Sequence, residues 1–279
     1  MTSCKTAELT DRTLVRIAGE DATHFLQGLV TCEVETLKTG EGAFGALLSP
    51  QGKILFDFFL IRSVSGYLAD VARAVEPDFI RRLTFYRLRA RVEIEPMDKR
   101  TGIHAAWDGA AENVDGIAIT DPRLAALGQR LYCRRPPKGT AGDYRAHRLA
   151  HGMPQGGEDF AFGACFPHEV LMDQFGGVDF TKGCYVGQEV VSRMQHRGTA
   201  RSRFIMVEST RALPPANTDI LAGGKPAGTM GSSHANKGLA LLRLDKVGDA
   251  LAAGKPILAG SQPISVHLQS WVNFTLPVA

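Results

Sequence analysis

The chain has no apolar run long enough to cross a bilayer, and its opening residues, MTSCKTAELTDRTLVRI, contain no apolar stretch of the kind a secretory signal needs. Both absences predict a cytoplasmic protein. Cysteine is scarce: Cys4, Cys32, Cys133, Cys165 and Cys184 form an odd set with no C-x-x-C pair and no clustered His/Cys spacing. This argues against a disulfide framework and against a cysteine-held metal or cluster within one chain, and it fits free thiols in a reducing compartment. A strong charge of either sign is missing too. The net charge of +3, from 32 basic and 29 acidic side chains, is too slight to make nucleic acid an expected partner. No internal repeat or low-complexity tract occurs.

At 279 residues the chain is long enough for about two domains with cores of their own, and 44% hydrophobic with 22% charged residues is the make-up of a globular protein. TLVRIAG (residues 13–19) alternates as a half-buried strand does, and Asp21 then stands where it can cap a short helix carrying Phe25, Leu26 and Leu29 on one face. GAFGALLSPQGKILFDFFL reads as a β-hairpin with its turn at SPQGK, and a further strand follows Ser65-Gly66. Glu76-Pro77 opens a helix with Ile80, Leu83 and Tyr86 or Arg87 at helical spacing; its arginine stems can cover apolar surface. RVEIEP, GIAIT and QRLYC read as strands, and DYRAHRLAHG as a helix ending at Gly152.

Hairpins dominate and helices do not alternate regularly with strands, so residues 1–200 read as α+β. After Arg203 short apolar runs (FIMVE, GLALLRL, PISVHL) are separated by Pro and Gly signals without a helical period. Residues 201–279 are therefore expected to form a small, separate β-barrel or sandwich.

The stretch FTKGCYVGQE (residues 180–189) cannot be a core strand, because its lysine, glutamine and glutamate need solvent or partners and its glycines pack nothing. A thiolate is favoured by a nearby cation and by a helix start. Lys182 supplies the first candidate, and the apolar residues Val190, Val191 and Met194 place a helix just after Gly187. Gly183 and Gly187 permit turns closed to other residues. Taken singly, Lys182, Gln188 and Glu189 are ordinary surface residues and Cys184 a small buried hydrophobe; their concentration around one cysteine marks a presenting loop.

K-G-C-Y-V-G-Q-E is similar to the signature of the YgfZ family, folate-binding proteins that support assembly or repair of iron–sulfur enzymes and include the mitochondrial Iba57-type proteins. The flanking LVRIAGEDATHFLQGLVTCEV, GALLSPQGKILFDFFL, RLAHGMPQGGEDF, PHEVLMDQFGGVDF and VVSRMQHRG resemble the same family over most of residues 13–200. The resemblance implies the aminomethyltransferase type of fold, two entwined α+β domains and a carboxy-terminal β-barrel. It also implies tetrahydrofolate or another reduced folate as ligand, with iron–sulfur proteins or their assembly factors as clients. In that light Cys184 and Lys182 are the candidate reactive pair, and Gly183, Tyr185, Gly187, Gln188, Glu189 and Arg193 candidate folate contacts.

The wider superfamily includes folate-dependent aminomethyltransferases and demethylases, whose central carboxylate Asp57 resembles in position; on strand alternation alone Asp57 is equally a polar outward residue. Where those enzymes have R-L-E-A-G, with a glutamate that holds the pterin, this chain has Arg148-Leu149-Ala150-His151-Gly152. Ala150 cannot accept the two hydrogen bonds a carboxylate takes from a pterin edge. Two functions therefore stand side by side: an accessory protein acting through Cys184, and a folate-dependent transferase or demethylase using Asp57. Arg193, His196, Arg197, Arg201 and Arg203 form a basic stretch, either a solvated face or an electropositive mouth for an anionic ligand or acidic partner.

Overall fold

A computed structural model describes residues 4–98, 100–198 and 200–277. The chain divides into two compact units, each made of two segments: Met1–Tyr144 with Phe175–Glu189, and Arg145–Gln174 with Val190–Ala279.

In the first unit the strands are β1 (Lys5–Glu8), β2 (Arg12–Ala18), β3 (Gly42–Leu48), β4 (Ile54–Ser63), β5 (Gly66–Ala72), β6 (Glu93–Pro96), β7 (Gly102–Trp107), β8 (Gly116–Thr120), β9 (Gln129–Cys133) and β10 (Thr140–Ala141), with helices α1 (Ala22–Gln27) and α2 (Glu76–Arg87). They form two five-stranded sheets, ordered β3-β4-β5-β2-β6 and β10-β1-β7-β9-β8, antiparallel except where β1 meets β10. The period-2 alternation of β4 assigns its faces: Phe56, Phe58 and Leu60 join a core with Phe25 and Leu26 of α1 and Phe79 and Leu83 of α2. On the opposite face Phe59 lies under the guanidinium of Arg130 from β9, 3.8 Å from the ring centroid, so the second sheet stacks there.

Charge is buried between these two sheets. Asp70 on β5, fully buried, accepts hydrogen bonds from Arg12 (2.7 Å), Arg130 (2.9 Å) and Tyr132 (3.1 Å). Asp121 accepts from Arg123 at 3.0 and 2.8 Å. Burial pushes the Asp121 carboxyl up, but Arg123 and Arg130 together hold it below the usual carboxylate range. Each sequence signal was a single charged residue in an otherwise apolar strand, Asp70 in YLADVA and Arg130 in QRLYC.

The structure corrects three local expectations. Asp21 precedes α1 but makes no side-chain cap; its carboxylate accepts the Arg91 backbone N–H at 2.8 Å instead. In α2 the buried positions are Phe79 and Leu83, while Ile80 is only half-buried. Residues 102–107, which showed no element in the sequence, form β7, the central strand of the second sheet.

The second unit contains α3 (Tyr144–Ala150) and α4 (Gln188–Arg197) over most of their lengths. It continues with β11 (Ser202–Glu208), β12 (Asp219–Ala222), β13 (Lys225–His234), β14 (Lys237–Arg243), α5 (Leu244–Ala252), β15 (Ile257–Ala259), β16 (Gln262–Pro263) and β17 (Ser265–His267). The sheet runs β16-β15-β12-β13-β14-β11-β17. Because β16 and β17 are separated in sequence by Ile264 alone yet end opposite sides of the sheet, the barrel nearly closes. Ser209 Oγ donating to Pro263 O at 2.9 Å, and Gln262 Nε2 to Ser209 Oγ at 2.8 Å, secure that seam. α5 was not expected from sequence; Leu244, Val247 and Ala250 bury its apolar side in the barrel core, where tertiary contact outweighs the glycine at its centre. Arg148 of α3, 1% exposed, is held by Asp159 (2.7 Å), Glu158 (2.8 Å) and Ser232 Oγ (3.2 Å).

Replacing Asp70 by alanine leaves Arg12 and Arg130 buried without that counter-charge. Urea unfolding is expected to show a loss of about 3–5 kcal/mol, far above an exposed pair such as Arg81–Asp78.

Candidate functional site

The loop from Gly177 to Gly187 is pinned along its length to the segment Val30–Glu33 and to the β3–β4 turn. At its start the Thr31 hydroxyl donates to Gly177 O at 2.6 Å and accepts the Ala46 N–H at 2.8 Å, while the Asp179 N–H donates to Thr31 O at 2.8 Å. The Asp179 carboxylate then accepts the N–H of Thr181 (2.7 Å), its hydroxyl (2.7 Å) and the N–H of Lys182 (3.1 Å), an Asx-type turn. At its end Gly187 sits at φ 80°, with the space for a Cβ filled by Ser49 O at 2.5 Å.

Between these pins the side chains alternate inward and outward. Lys182 is 8% exposed, and its ammonium donates to Val30 O (2.9 Å) and Cys32 O (2.6 Å). Tyr185 is also buried, its ring centroid 5.6 Å from Lys182 Nζ. Gly183 and Cys184 lie between them, both exposed, with no atom within 4 Å of the position a Cβ on Gly183 would take. Cys184 is the only one of the five cysteines that is exposed; Cys32, Cys133 and Cys165 are buried and Cys4 is half-buried.

Two expectations for the loop change in character. Lys182 was expected as a cation beside the Cys184 thiol, but its charge is directed inward onto backbone carbonyls. Burial lowers its pKa, opposed by Cys32, Glu33 and Asp179. Gly187, expected to face a ligand, faces the β3–β4 turn. The Cys32 thiol near the Lys182 ammonium is pushed up to about 12 by burial, against the pull of that charge, and so stays protonated at neutral pH.

The remaining candidates separate. Asp57, 3% exposed, lies on β4 opposite Ala46, the residue whose N–H reaches Thr31 at the root of the loop. It is thus not the solvent-facing strand residue that alternation alone allowed. The Tyr185 phenol, pushed up to about 12 by burial and by Asp179, is a buried O–H with no acceptor among the described residues. Gln188, which opens α4, is half-buried and Glu189 exposed. Arg193 is exposed and belongs to the second unit. Ala150 is exposed on α3.

Within that second unit the basic stretch splits. Arg203 turns inward and grips Asp173 with two bonds of 2.8 Å, while Arg193, His196, Arg197 and Arg201 are exposed. His168, whose Nε2 meets Gln195 Oε1 at 3.0 Å, lines a cleft of about 460 Å³ with Arg201, Arg203 and Phe274. Burial lowers the His168 pKa, only partly opposed by Asp173. Among the described residues no group of three His, Cys, Asp or Glu side chains could hold a metal ion. The buried roles of Arg123 and Arg148 had no local signal, and Arg203 belongs to neither the solvated face nor the electropositive mouth that its basic stretch suggested.

Comparison with solved structures defines the class first. The crystal structure of glycine cleavage system aminomethyltransferase T from Bartonella henselae superposes with a TM-score of 0.73 over 97% of this chain and 87% of that one, at 14% identity. The fold is therefore of the aminomethyltransferase type. The carboxy-terminal barrel at residues 201–274 matches the domain family described as "CAF17, C-terminal beta-barrel domain". The iron–sulfur cluster assembly factor IBA57, mitochondrial, of Homo sapiens is 32% identical over 276 residues, covering 86% of this chain and 77% of that protein. Its counterpart in Mus musculus is 30% identical, with 86% and 77% covered, and the homologue of Coccidioides immitis (strain RS) is 29% identical, with 88% and 73% covered. The chain belongs to the Iba57/YgfZ-like family of iron–sulfur cluster assembly factors.

These relatives also overturn the cytoplasmic expectation. They are named as mitochondrial proteins. The physical basis of that expectation, free thiols and no bilayer-spanning run, describes any reducing aqueous compartment and does not single out the cytosol.

Brief iodoacetamide exposure at pH 8 followed by peptide mapping is expected to modify Cys184 first, Cys4 next, and Cys32 last. Slower labelling of Cys184 than of Cys4 would contradict the exposed loop. Gly187→Ala is expected to cost roughly 1–3 kcal/mol in thermal or urea unfolding, because a Cβ there meets both an unfavourable φ and the Ser49 carbonyl.

Proposed function

We propose that the protein is a tetrahydrofolate-binding accessory factor for the assembly or repair of iron–sulfur enzymes, and that Cys184 is its working group. The observation that carries this reading is the exposure of Cys184, alone of five cysteines, on a loop whose flanking residues Lys182 and Tyr185 are buried. A thiol so presented is available for redox chemistry, thiol exchange or contact with a cluster, and membership of a family named for iron–sulfur assembly favours that setting. Client iron–sulfur proteins or their assembly factors are the partners this implies.

A reduced folate carries one-carbon units, and the fold type is that of an enzyme of the glycine cleavage system. The first unit offers such a ligand the Tyr185 hydroxyl, a buried donor without an acceptor among the described residues, and a buried carboxylate, Asp57. Gly183, Gln188 and Glu189 add backbone and polar groups along the same loop. The transferase alternative is less well supported, because the position matched to its pterin-holding glutamate is Ala150.

Anaerobic titration calorimetry with tetrahydrofolate tests the ligand: binding is expected, and none up to millimolar concentration would remove folate from the proposal. In cells lacking the wild-type protein, Cys184→Ser is expected to abolish recovery of iron–sulfur enzyme activity under oxidative stress, whereas Asp57→Asn is milder. Normal activity with Cys184→Ser, beside loss with Asp57→Asn, would favour the transferase instead.

A further inference from the structure

The carboxy-terminal end of α2 carries apolar side chains that the fold does not use. Phe85 is 71% exposed and Leu88 is 87% exposed. Leu88 also holds φ 46°, a left-handed conformation at the helix end that glycine adopts at lower cost. The Phe85 ring stands edge-on to Tyr86, with centroids 5.6 Å apart. Cross-strand pairing aligns Arg62, Tyr67, Ile17 and Ile94 in one row. The β4–β5 turn, with Val64 92% exposed, and the connection from Leu88 into β6 therefore leave the first sheet at the same end.

Around this apolar end the carboxylates Glu93 and Glu95 share Arg16, and the others are paired as well, while among the described residues two arginines are not. Asp78 is engaged by Arg81 at 2.6 Å, and Glu20 and Asp21 by Arg91. Arg82, one turn before Phe85, and Arg89, next to Leu88, are exposed and make no ion pair among the described residues. We propose that this end of α2 is a docking surface for a partner protein that presents carboxylates on either side of an apolar residue.

Charge complementarity selects that occupant. A second copy of this chain, meeting the surface across a two-fold axis, would set Arg82 and Arg89 against like charges. An anionic membrane draws on about four to eight free basic residues, whereas of the five arginines between 81 and 91 Arg81 and Arg91 are ion-paired and Arg87 donates to Val92 O, leaving two. Here the apolar face of α2, Phe79 and Leu83, is already buried in the core. The inference goes beyond the function proposed above and does not rest on the roles given there to folate or to Cys184.

The test places the photoreactive residue p-benzoylphenylalanine at exposed Thr84 in the full chain, irradiates cells expressing it, and sequences the cross-linked peptide. The expected product joins Thr84 to another protein, at a segment with two or more Asp or Glu residues within one helical turn of an apolar residue. Arg82→Glu with Arg89→Glu is expected to lower its yield about tenfold, with the thermal unfolding midpoint unchanged. Cross-links to a second copy, to lipid alone, or to a segment without carboxylates would overturn the proposal. So would a yield that the double variant leaves intact, or no cross-link at all.

Discussion

The presenting loop depends on one buried ammonium. Removing the Lys182 charge from water is costly, and the carbonyls of Val30 and Cys32 offset that cost with two charge-assisted bonds. Once the lysine is committed inward, chain geometry sends the next two residues out and Tyr185 back in. A neutral residue at position 182 would leave two carbonyls without their donor and the loop without its middle pin. A thiol held in this way is displayed by packing on either side of it, so its position is set without any bond of its own.

How much of this was legible in the sequence follows from range. Local signals were reliable: the SPQGK turn, the Ser65-Gly66 turn, the helix from Glu76 and the helix start after Gly187 are all present, because each is decided by residues within a few positions of one another. Signals that needed a distant partner were not legible. Lys182 read as the cation of its own loop because the carbonyls that hold it lie some 150 positions away. Asp21 read as a helix cap because the Arg91 N–H that outcompetes the helix cannot be placed from sequence. α5 was missed because its apolar positions acquire meaning only against the barrel core.

The buried charges of the first unit follow the same logic at larger scale. Asp70 and Asp121 with Arg12, Arg123 and Arg130 sit where two sheets face each other, a layer that apolar residues could fill with equal or better stability. What directed charges add is register: a one-residue slip of β5 would turn Asp70 to the opposite face and strand both guanidiniums. Phe59 under Arg130 and Phe44 beside Phe59 give the guanidinium planes an apolar bed suited to arginine and not to lysine.

The seam of the carboxy-terminal barrel sets an order of events on the ribosome. β11 and β15 each await a strand from residues 262–267, so neither outer edge can be paired until those residues have emerged. Until then the nascent barrel has two open edges, the geometry most prone to pairing with other chains. Closure then comes within a few residues of synthesis, since Ile264 passes the chain from one side of the gap to the other. Incomplete chains of this domain are therefore the form most exposed to edge-to-edge pairing.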